Sequence, residues 1–253
     1  MTNKFKYFVG NWKMFGDFRS IKIIHRIHSF YSKYKKKNTK IKIIFCVPNT
    51  LIHFFSQKLK SQFISIGAQN CHYQNNFGPF TGSVNPFMLK NAGAKYVILG
   101  HSENRFEGET NSLIRNKIKS ALNQNLTVIL CIGESLKEKK RGKTYYILSQ
   151  QIKNCISAQF NLNKIIIAYE PIWSIGSGKI LKKNELKQTF IFIKNKIKKI
   201  FKTKNLPRIL YGGSVNDRNI SMFSSISEID GFLIGGASQS PKKFIDIIKN
   251  YYK

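Results

Sequence analysis

Two acid–base candidates stand directly after short apolar stretches of the chain. Glu170 follows the stretch Ile165–Tyr169, and His101 follows the stretch Tyr96–Leu99 with one glycine between. In a largely apolar, closed pocket a carboxylate is a strong general base, and an imidazole can donate a hydrogen bond to a substrate oxygen. Taken singly, a glutamate held by a salt bridge and a histidine with a structural role are open alternatives. Together the two residues predict a site for acid–base chemistry.

Two glycine pairs indicate that an anion binds near the same site. Gly212-Gly-Ser214 and Gly235-Gly236 follow the last two apolar stretches. Backbone N–H groups can approach an anion closely where no Cβ intervenes. Lys13, after the first stretch, would supply positive charge against a phosphate or a developing oxyanion. Either glycine pair alone is equally compatible with a tight turn, and Lys13 alone is more simply a surface lysine.

The segment 171–179, directly after the candidate base, has the composition of a lid. Pro171 stands at one end, and Gly176 and Gly178 stand toward the other, where they can act as hinges. Trp173 and Ile175 between them could cover a pocket. The segment therefore predicts a mobile lid that excludes water, with an ordinary loop as the alternative.

Several other functional motifs are incomplete in this sequence, and the functions that they indicate are therefore not predicted. Trp173 and Ile180 occupy the positions of the first glycine and of the Ser or Thr in a phosphate-binding P-loop. Gly176-Ser-Gly178 lacks the third glycine of a dinucleotide-binding motif, and Ser214 stands in an incomplete nucleophile elbow. With no His-Glu-x-x-His motif and no carboxylate cluster, the sequence predicts no metal site.

The elements that must position these residues are eight short apolar stretches. They are rich in β-branched and aromatic residues, and several lack polar alternation, which is typical of parallel strands buried on both faces. The stretches are Tyr7–Val9, Ile41–Val47, Phe63–Ala68, Tyr96–Leu99, Thr127–Ile132, Ile165–Tyr169, Arg208–Tyr211 and Gly231–Ile234.

The segments between these stretches show helical periodicity. Apolar residues recur at steps of three and four, with lysines on the other face, and Asn184 is a reasonable N-cap with Glu185 in the first turn. Eight such units in 253 residues predict an α/β protein, a closed (β/α)₈ barrel formed as a single domain by residues 1–253; an open doubly wound sheet is the alternative. In such a barrel the chemistry lies at the carboxyl ends of the strands. The periodic residues are Leu186, Phe190, Ile193, Ile197 and Phe201, and earlier Leu148, Ile152 and Ile156.

The charge of the chain is extreme, with 43 Lys and Arg against 12 Asp and Glu, a formal net charge of +31. Such a charge is typical of proteins that bind nucleic acid or membrane surfaces. The basic residues, however, are mostly lysine, they are spread along the chain, and other residues with A/T-rich codons are also abundant. We therefore favour compositional bias over a specific nucleic-acid partner. The densest lysine clusters, Lys33 to Lys40 and Lys194 to Lys204, are interpreted as solvated helix faces and ends.

Cysteine usage and apolar runs indicate the compartment. Cys46, Cys71, Cys131 and Cys155 form no Cys-x-x-Cys pair, which argues against a disulfide framework and fits a reducing cytosol. No apolar run approaches the roughly 18 residues of a membrane span, and the first ten residues lack the apolar stretch of a secretory signal. We therefore expect a cytoplasmic protein with no membrane partner.

The motifs together resemble those of the triosephosphate isomerase family, in the same order and over essentially the whole chain. They are Asn11-Trp-Lys13, Gly67-Ala-Gln-Asn70, Gly100-His-Ser-Glu103, Cys131-Ile-Gly-Glu134, Tyr169-Glu-Pro-Ile-Trp173, Ile175-Gly-Ser-Gly-Lys179, Tyr211-Gly-Gly-Ser-Val215 and Gly231 with Gly235-Gly-Ala-Ser238. Other phosphate-binding barrels, such as sugar-phosphate epimerases or indole-glycerol-phosphate synthases, lack His-Ser-Glu followed later by Tyr-Glu-Pro.

The resemblance implies a TIM barrel isomerase of glycolysis and gluconeogenesis that interconverts dihydroxyacetone phosphate and D-glyceraldehyde 3-phosphate through an enediolate, without a metal or organic cofactor. By the same resemblance, Glu170 would shuttle the proton, His101 would polarise the carbonyl as a neutral imidazole, and Lys13 would offset negative charge. Asn11 would help to place the substrate oxygens, and Glu103 would orient the lysine. The remaining implied roles are phosphate binding by the backbone amides of Gly176, Ser214, Gly235 and Gly236, latching of the closed lid by Tyr211 and Ser214, and contact of Glu134 with Trp173 in the open form.

The resemblance also implies a homodimer. The loop Cys71–Asn85 would insert into the partner subunit, with Thr81 reaching the partner's site. The family usually has Glu where this chain has Ser83, and Arg where it has Asn104, and those two residues form a salt bridge at the interface. Losing one partner would leave a buried charge unpaired, whereas losing both is nearly neutral. We predict that Ser83 and Asn104 lie close together, and that their replacement affects dimer affinity rather than catalysis.

Overall fold

Eight parallel strands form a closed barrel in which each strand pairs with its neighbours in the chain. The computed structural model describes residues 5–34, 40–59 and 63–253. The first strand pairs with both the second and the eighth, and this pairing closes the barrel. The predicted closed barrel is therefore confirmed. The strands are β1 (Lys6–Asn11), β2 (Ile41–Cys46), β3 (Ile64–Ala68), β4 (Tyr96–Leu99), β5 (Thr127–Ile132), β6 (Ile165–Tyr169), β7 (Arg208–Tyr211) and β8 (Gly231–Ile234).

Helices cover the outside of the barrel. Between β7 and β8 the described chain forms a short 3₁₀ turn, Ile220–Phe223, and further 3₁₀ turns stand at other strand ends. The α-helices among the described residues are α1 (Ile21–Tyr34), α2 (Asn49–Lys58), α3 (Pro86–Asn91), α4 (Ser102–Phe106), α5 (Asn111–Asn123), α6 (Leu136–Lys140), α7 (Thr144–Cys155), α8 (Lys183–Phe201) and α9 (Pro241–Tyr251).

The strands are buried on both faces because successive side chains point in opposite directions. One alternating set, which includes Ile129, Cys131, Ile166 and Ala168, fills the barrel interior. The other set packs against the helices in one continuous core. Each fully buried large apolar side chain of this kind stabilises the fold by roughly 1.5–3 kcal/mol. All four cysteines are free and buried, and burial raises the pKa of the Cys71 thiol to about 12.

Most predicted strands have the observed bounds, and the differences follow from pairing. β1 extends beyond Tyr7–Val9 because its pairing with β2 runs from Lys6 opposite Ile41 to Asn11 opposite Cys46. The bounds predicted for β2 and β3 each included one residue too many, Val47 and Phe63.

The predicted N-cap of α8 is wrong. The helix begins at Lys183, with Lys182 as its N-cap, and Asn184 lies inside the first turn. The reason is that the Leu186 N–H donates to the carbonyl of Lys182, which starts the helical hydrogen bonds earlier than Asn184 could. In the first lysine cluster, residues 35–39 lie outside the described residues.

The few acidic side chains of the chain are mostly bound to a partner. Asp17 and Glu138 complete capping boxes at the starts of a 3₁₀ turn and of α6, where they satisfy backbone N–H groups. Asp230 accepts the Ile209 N–H at 2.9 Å and lies 3.5 Å from the Arg208 guanidinium. Within the described part of the chain, none of the helices is long and apolar enough to cross a membrane.

Candidate active site

The predicted site residues converge at the carboxyl ends of the strands. A cavity of about 340 Å³ is lined by Asn11, Lys13, His101 and Glu170 from β1, β4 and β6, together with Gly176, Ser214, Gly235 and Gly236. A second cavity of about 340 Å³ adjoins it and shares Asn11, Lys13 and His101. A larger cavity, about 720 Å³, opens at the other end of the barrel, and the described residues that line it include no carboxylate or imidazole. The buried carboxylate of Glu170 and the imidazole of His101 lie at the carboxyl end.

Glu170 is a buried carboxylate held at the end of β6. Its backbone N–H donates to Ile132 at 2.8 Å, and its side chain is 4% exposed. Burial raises the pKa of the Glu170 carboxyl above its ordinary value, and a hydrogen bond with Cys131 opposes the shift. Oε2 is buried and has no hydrogen-bond partner within the described structure. The carboxylate is therefore poised to accept a proton.

His101 is the N-cap of α4, and this position defines its proton. Its Nδ1 accepts the backbone N–H of Glu103 at 3.2 Å. An imidazole nitrogen that accepts a hydrogen bond carries no proton, so the geometry assigns the neutral ring with its proton on Nε2. That Nε2 lies 3.4 Å from Oε1 of Glu170. A substrate in the cavity that both side chains line would meet a donor and a base.

Lys13 is held in an unusual backbone conformation at the mouth of the cavity. Its φ is +56°, a left-handed value that costs about 1–3 kcal/mol for a residue other than glycine. Its N–H donates to Oδ1 of Asn11 at 3.1 Å, and its Nζ lies 2.5 Å from Glu103 Oε1. The strained backbone and the ion pair together aim the ammonium into the cavity.

The predicted anion site, here called the anion corner, consists of Gly212–Ser214 and Gly235–Gly236. Gly212 and Gly213 allow neighbouring side chains to pack closely against it. A Cβ on Gly212 would lie 2.7 Å from Cγ of Glu170, and a Cβ on Gly213 would lie 2.3 Å from the hydroxyl oxygen of Tyr211. Gly236 faces open space, a Cβ on Gly235 would lie 3.9 Å from Cε of Lys13, and both glycines line the cavity. The Ser214 N–H already donates to the hydroxyl of Ser174 at 3.2 Å.

The predicted lid packs over the end of β6. Pro171 is buried, and residues 172–174 form a short 3₁₀ turn. The Trp173 indole N–H donates to Oε1 of Glu134 at 3.0 Å, while Tyr169 donates to the other oxygen of that carboxylate at 3.1 Å. Burial raises the pKa of the Glu134 carboxyl, and these two donors oppose the shift. Ile175 lines the cavity beside the anion corner.

Several residues of the site were not found from the sequence. The side-chain amides of Gln69 and Gln239 donate to the carbonyls of Lys13 and Trp12, at 2.9 Å each, and so hold the strained loop after β1. A Cβ on Gly133 would lie 1.7 Å from the carbonyl oxygen of Glu170, so the residue directly after β5 packs on the backbone of the base. Gln69 and Gly133 stand within the quoted motifs, but only the folded chain shows what they touch.

The loop from Cys71 to Asn85 exposes apolar side chains. Phe77 is 75% exposed, and Thr81 and Ser83 are exposed as well. The predicted proximity of Ser83 and Asn104 stays a prediction.

Comparisons with known proteins agree over almost the whole chain. The family model described as triosephosphate isomerase matches residues 6–251. The chain is 39% identical to the triosephosphate isomerase of Dictyoglomus thermophilum, covering 97% of this chain and 99% of the relative, and 39% identical to that of Yarrowia lipolytica, covering 96% and 98%. The crystal structure of triosephosphate isomerase from Bartonella henselae superposes with a TM-score of 0.88 at 34% identity, covering 98% of this chain and 99% of that one.

Proposed function

The chain belongs to the triosephosphate isomerase family, and from that membership we propose how its own residues carry the reaction. The activity is the interconversion of dihydroxyacetone phosphate and D-glyceraldehyde 3-phosphate, a step of glycolysis. Glu170, His101, Lys13 and Asn11 are the groups that act on the substrate.

Glu170 moves the proton between the two carbons. Its carboxylate takes a proton from C1 of dihydroxyacetone phosphate, and the electron pair of that C–H bond moves into the carbonyl to form an enediolate. The proton of the C1 hydroxyl then passes to the C2 oxygen, and the protonated Glu170 returns its proton to C2 while the electron pair forms the C1 carbonyl, which gives D-glyceraldehyde 3-phosphate. Because the carboxyl is buried, its raised pKa makes it a stronger base than an exposed glutamate.

His101 and Lys13 stabilise the charge that develops on the substrate oxygens. The Nε2–H of a neutral imidazole donates to the oxygen that becomes negative, and the ammonium adds a fixed positive charge. Asn11, buried at 5% exposure, helps to place the same oxygens. The backbone amides of Gly176, Ser214, Gly235 and Gly236 would bind the phosphate, which adds positioning at the end of the substrate away from the chemistry.

The single observation that supports this assignment most strongly is the pair formed by His101 Nε2 and Glu170 Oε1, 3.4 Å apart in one cavity. A coupled assay on the purified protein tests it, with dihydroxyacetone phosphate formation followed from D-glyceraldehyde 3-phosphate. Absence of turnover in protein with a native circular dichroism spectrum would contradict the proposal.

The pH dependence of kcat/KM follows from the Glu170 carboxyl. Its pKa is raised above the ordinary 4.5 by burial, and only the ionised form accepts a proton. We expect kcat/KM to fall as the pH falls through that raised pKa, so the acid limb of the profile lies above pH 4.5. The profile is measured between pH 4.5 and 8 on enzyme that stays folded throughout. An acid limb at or below pH 4.5 would argue against Glu170 as the base.

The observed contacts of the lid are those expected when the lid is open. The Trp173–Glu134 hydrogen bond is the contact that the family resemblance assigns to the open lid, with Tyr211 and Ser214 latching the closed one. Closing over the substrate would exclude water from the enediolate.

We further propose that the protein acts as a homodimer through the loop Cys71–Asn85. The exposed Phe77, and Met14 beside the cavity, are large apolar side chains that a partner subunit would cover. The cavity that adjoins the active site, lined by Met14 and Asn104 among others, has room for the partner's Thr81.

Thr81→Arg tests the dimer. A guanidinium placed in a site that receives a neutral side chain is desolvated without a partner, and we expect the dimer dissociation constant to rise at least about tenfold. Sedimentation velocity across a dilution series measures it, with turnover per subunit recorded in parallel. Ser225→Arg, at an exposed serine away from this loop, is the control. Unchanged dissociation in Thr81→Arg would contradict the loop's role.

The predicted cytoplasmic location and the absence of a specific nucleic-acid partner remain proposals. The proposed location is supported by the four cysteines, which are all free and buried, as a reducing compartment favours. Binding of nucleic acid that disappears by a few hundred millimolar salt would mark nonspecific attraction to the +31 charge.

A further inference from the structure

The hydroxyl of Ser174 lies at the junction between the lid and the end of β7. Ser174 is 0% exposed, whereas residues 176–179 of the same lid are exposed. Burying a hydroxyl is unfavourable unless it is hydrogen-bonded, so the partners of this side chain indicate what it does.

The partners of Ser174 use its whole hydrogen-bonding capacity, which is one donor and two lone pairs. Oγ lies 2.5 Å from the carbonyl oxygen of Lys179, which can only accept, so the serine proton is used there. The Ser214 N–H donates to Oγ at 3.2 Å. The hydroxyl oxygen of Tyr211 lies 3.3 Å away, and because the serine proton is already used, the tyrosine is the donor.

The approach of the lid to β7 depends on glycine at the same point. A Cβ on Gly213 would lie 2.7 Å from Oγ of Ser174, too close for any side chain. The loop after β7 can therefore approach Ser174 this closely only because residue 213 has no side chain. This observation supports the contact of Ser174 with Tyr211 and Ser214 independently of the hydrogen bonds.

We propose that Ser174 is a lid-positioning residue that holds the lid open by occupying the Ser214 N–H, so that the Ser174 hydroxyl and the substrate phosphate compete for that N–H. This inference rests on the proposed function, which assigns the Ser214 amide to phosphate and assigns Tyr211 and Ser214 to the closed lid. Both groups are bound to Ser174 in the open lid, and both must be released before the lid closes.

The competition predicts the direction of the effect. Removing the hydroxyl removes the competitor for the Ser214 N–H and three hydrogen bonds of the open lid, while the phosphate keeps all of its donors. The substrate-bound form is then favoured relative to the open form. Ser174 thus weakens phosphate binding in the native protein, which also favours release of product.

Ser174→Ala tests the inference through the affinity for inorganic phosphate, measured by isothermal titration calorimetry at fixed ionic strength. We expect phosphate to bind about 3- to 10-fold more tightly, the factor that corresponds to one neutral hydrogen bond. The KM for D-glyceraldehyde 3-phosphate is expected to fall by a similar factor, with a smaller change in kcat. A purely structural role of Ser174 would instead weaken phosphate binding.

Ser177→Ala is the matched control. Its hydroxyl donates only within the lid, to the carbonyls of Trp173 and Ser174 at 2.9 and 3.2 Å, and we expect unchanged phosphate affinity. Equal or weaker binding by folded Ser174→Ala, or equal tightening in Ser177→Ala, overturns the inference alone. If the native protein does not bind phosphate, both the phosphate site and this inference are overturned.

If Ser174→Ala does not fold, Ser174→Cys is used instead, since sulfur is a weak acceptor. Tighter phosphate binding by Ser174→Cys supports the inference, and unchanged or weaker binding overturns it.

Discussion

Glu170→Gln lowers kcat about a thousandfold, within the range that general acid–base groups contribute, and changes KM only a fewfold. The amide has the shape of the carboxylate, so the buried position and the backbone hydrogen bond to Ile132 are kept. What is lost is the ability to take a proton from carbon. The loss therefore falls on the chemical step and not on binding.

The same coupled assay measures this loss, and Glu107→Gln is its control. Glu107 is an exposed glutamate just after α4, so its substitution makes the same chemical change away from the cavity and should leave kcat within twofold, as is usual for surface positions. A Glu170→Gln enzyme that retains a tenth or more of the native kcat would exclude Glu170 as the base.

Thermal unfolding gives an independent readout of the same variant. The folded-state pKa of Glu170 is raised above 4.5, so between that value and the raised pKa the folded protein binds more protons than the unfolded chain. Stability therefore falls as the pH rises through this window, and the ionised carboxylate is unfavourable at neutral pH. Glu170→Gln removes that cost, and we expect a higher Tm than that of the native protein at pH 7.

His101→Asn is expected to lower kcat about a hundredfold, the lower end of the effect of removing one donor to a developing oxyanion. Asparagine is a favourable N-cap, so its side chain can still accept the Glu103 N–H and preserve the start of α4. It is too short to place a donor where Nε2 lies, 3.4 Å from Glu170. The defect should therefore appear in kcat with little loss of Tm.

His53→Asn, at an exposed position of α2, is the control for the histidine. Its kcat and Tm are expected to match those of the native protein. If His101→Asn kept kcat within about fivefold, the imidazole would not be the electrophile, and the charge on the oxygens would have to be stabilised by Lys13 and the backbone alone.

The fold was predictable because buried parallel strands have a strong local pattern. β4 to β8 have the predicted bounds, since each is an apolar run with a clear end. The start of α8 was not predictable from Asn184, because the first hydrogen bond of the helix is accepted by the carbonyl of Lys182, a residue with no capping side chain. Local propensity indicated a helix, but the backbone hydrogen-bond pattern set its first residue.

The candidate site was predictable in its members but not in its geometry. Strand ends and glycine pairs indicated which residues meet, because all eight strands present their carboxyl ends on one side. The left-handed backbone of Lys13, the proton position on His101 and the contacts of Ser174 each depend on groups from distant parts of the chain. No spacing in the sequence carries that information.

The pairing of the scarce carboxylates has a consequence for how this gene can change. A single G-to-A change turns a glutamate codon into a lysine codon, the direction in which an A/T-rich coding sequence drifts. At Glu103, Glu138 or Glu185, such a change would set a second cation against Lys13, strip α6 of its capping box or repel Lys139. Among the eight glutamates of the chain, those that hold such partners are thus the positions at which a change to lysine breaks an interaction, whereas a new lysine on an exposed helix face breaks none.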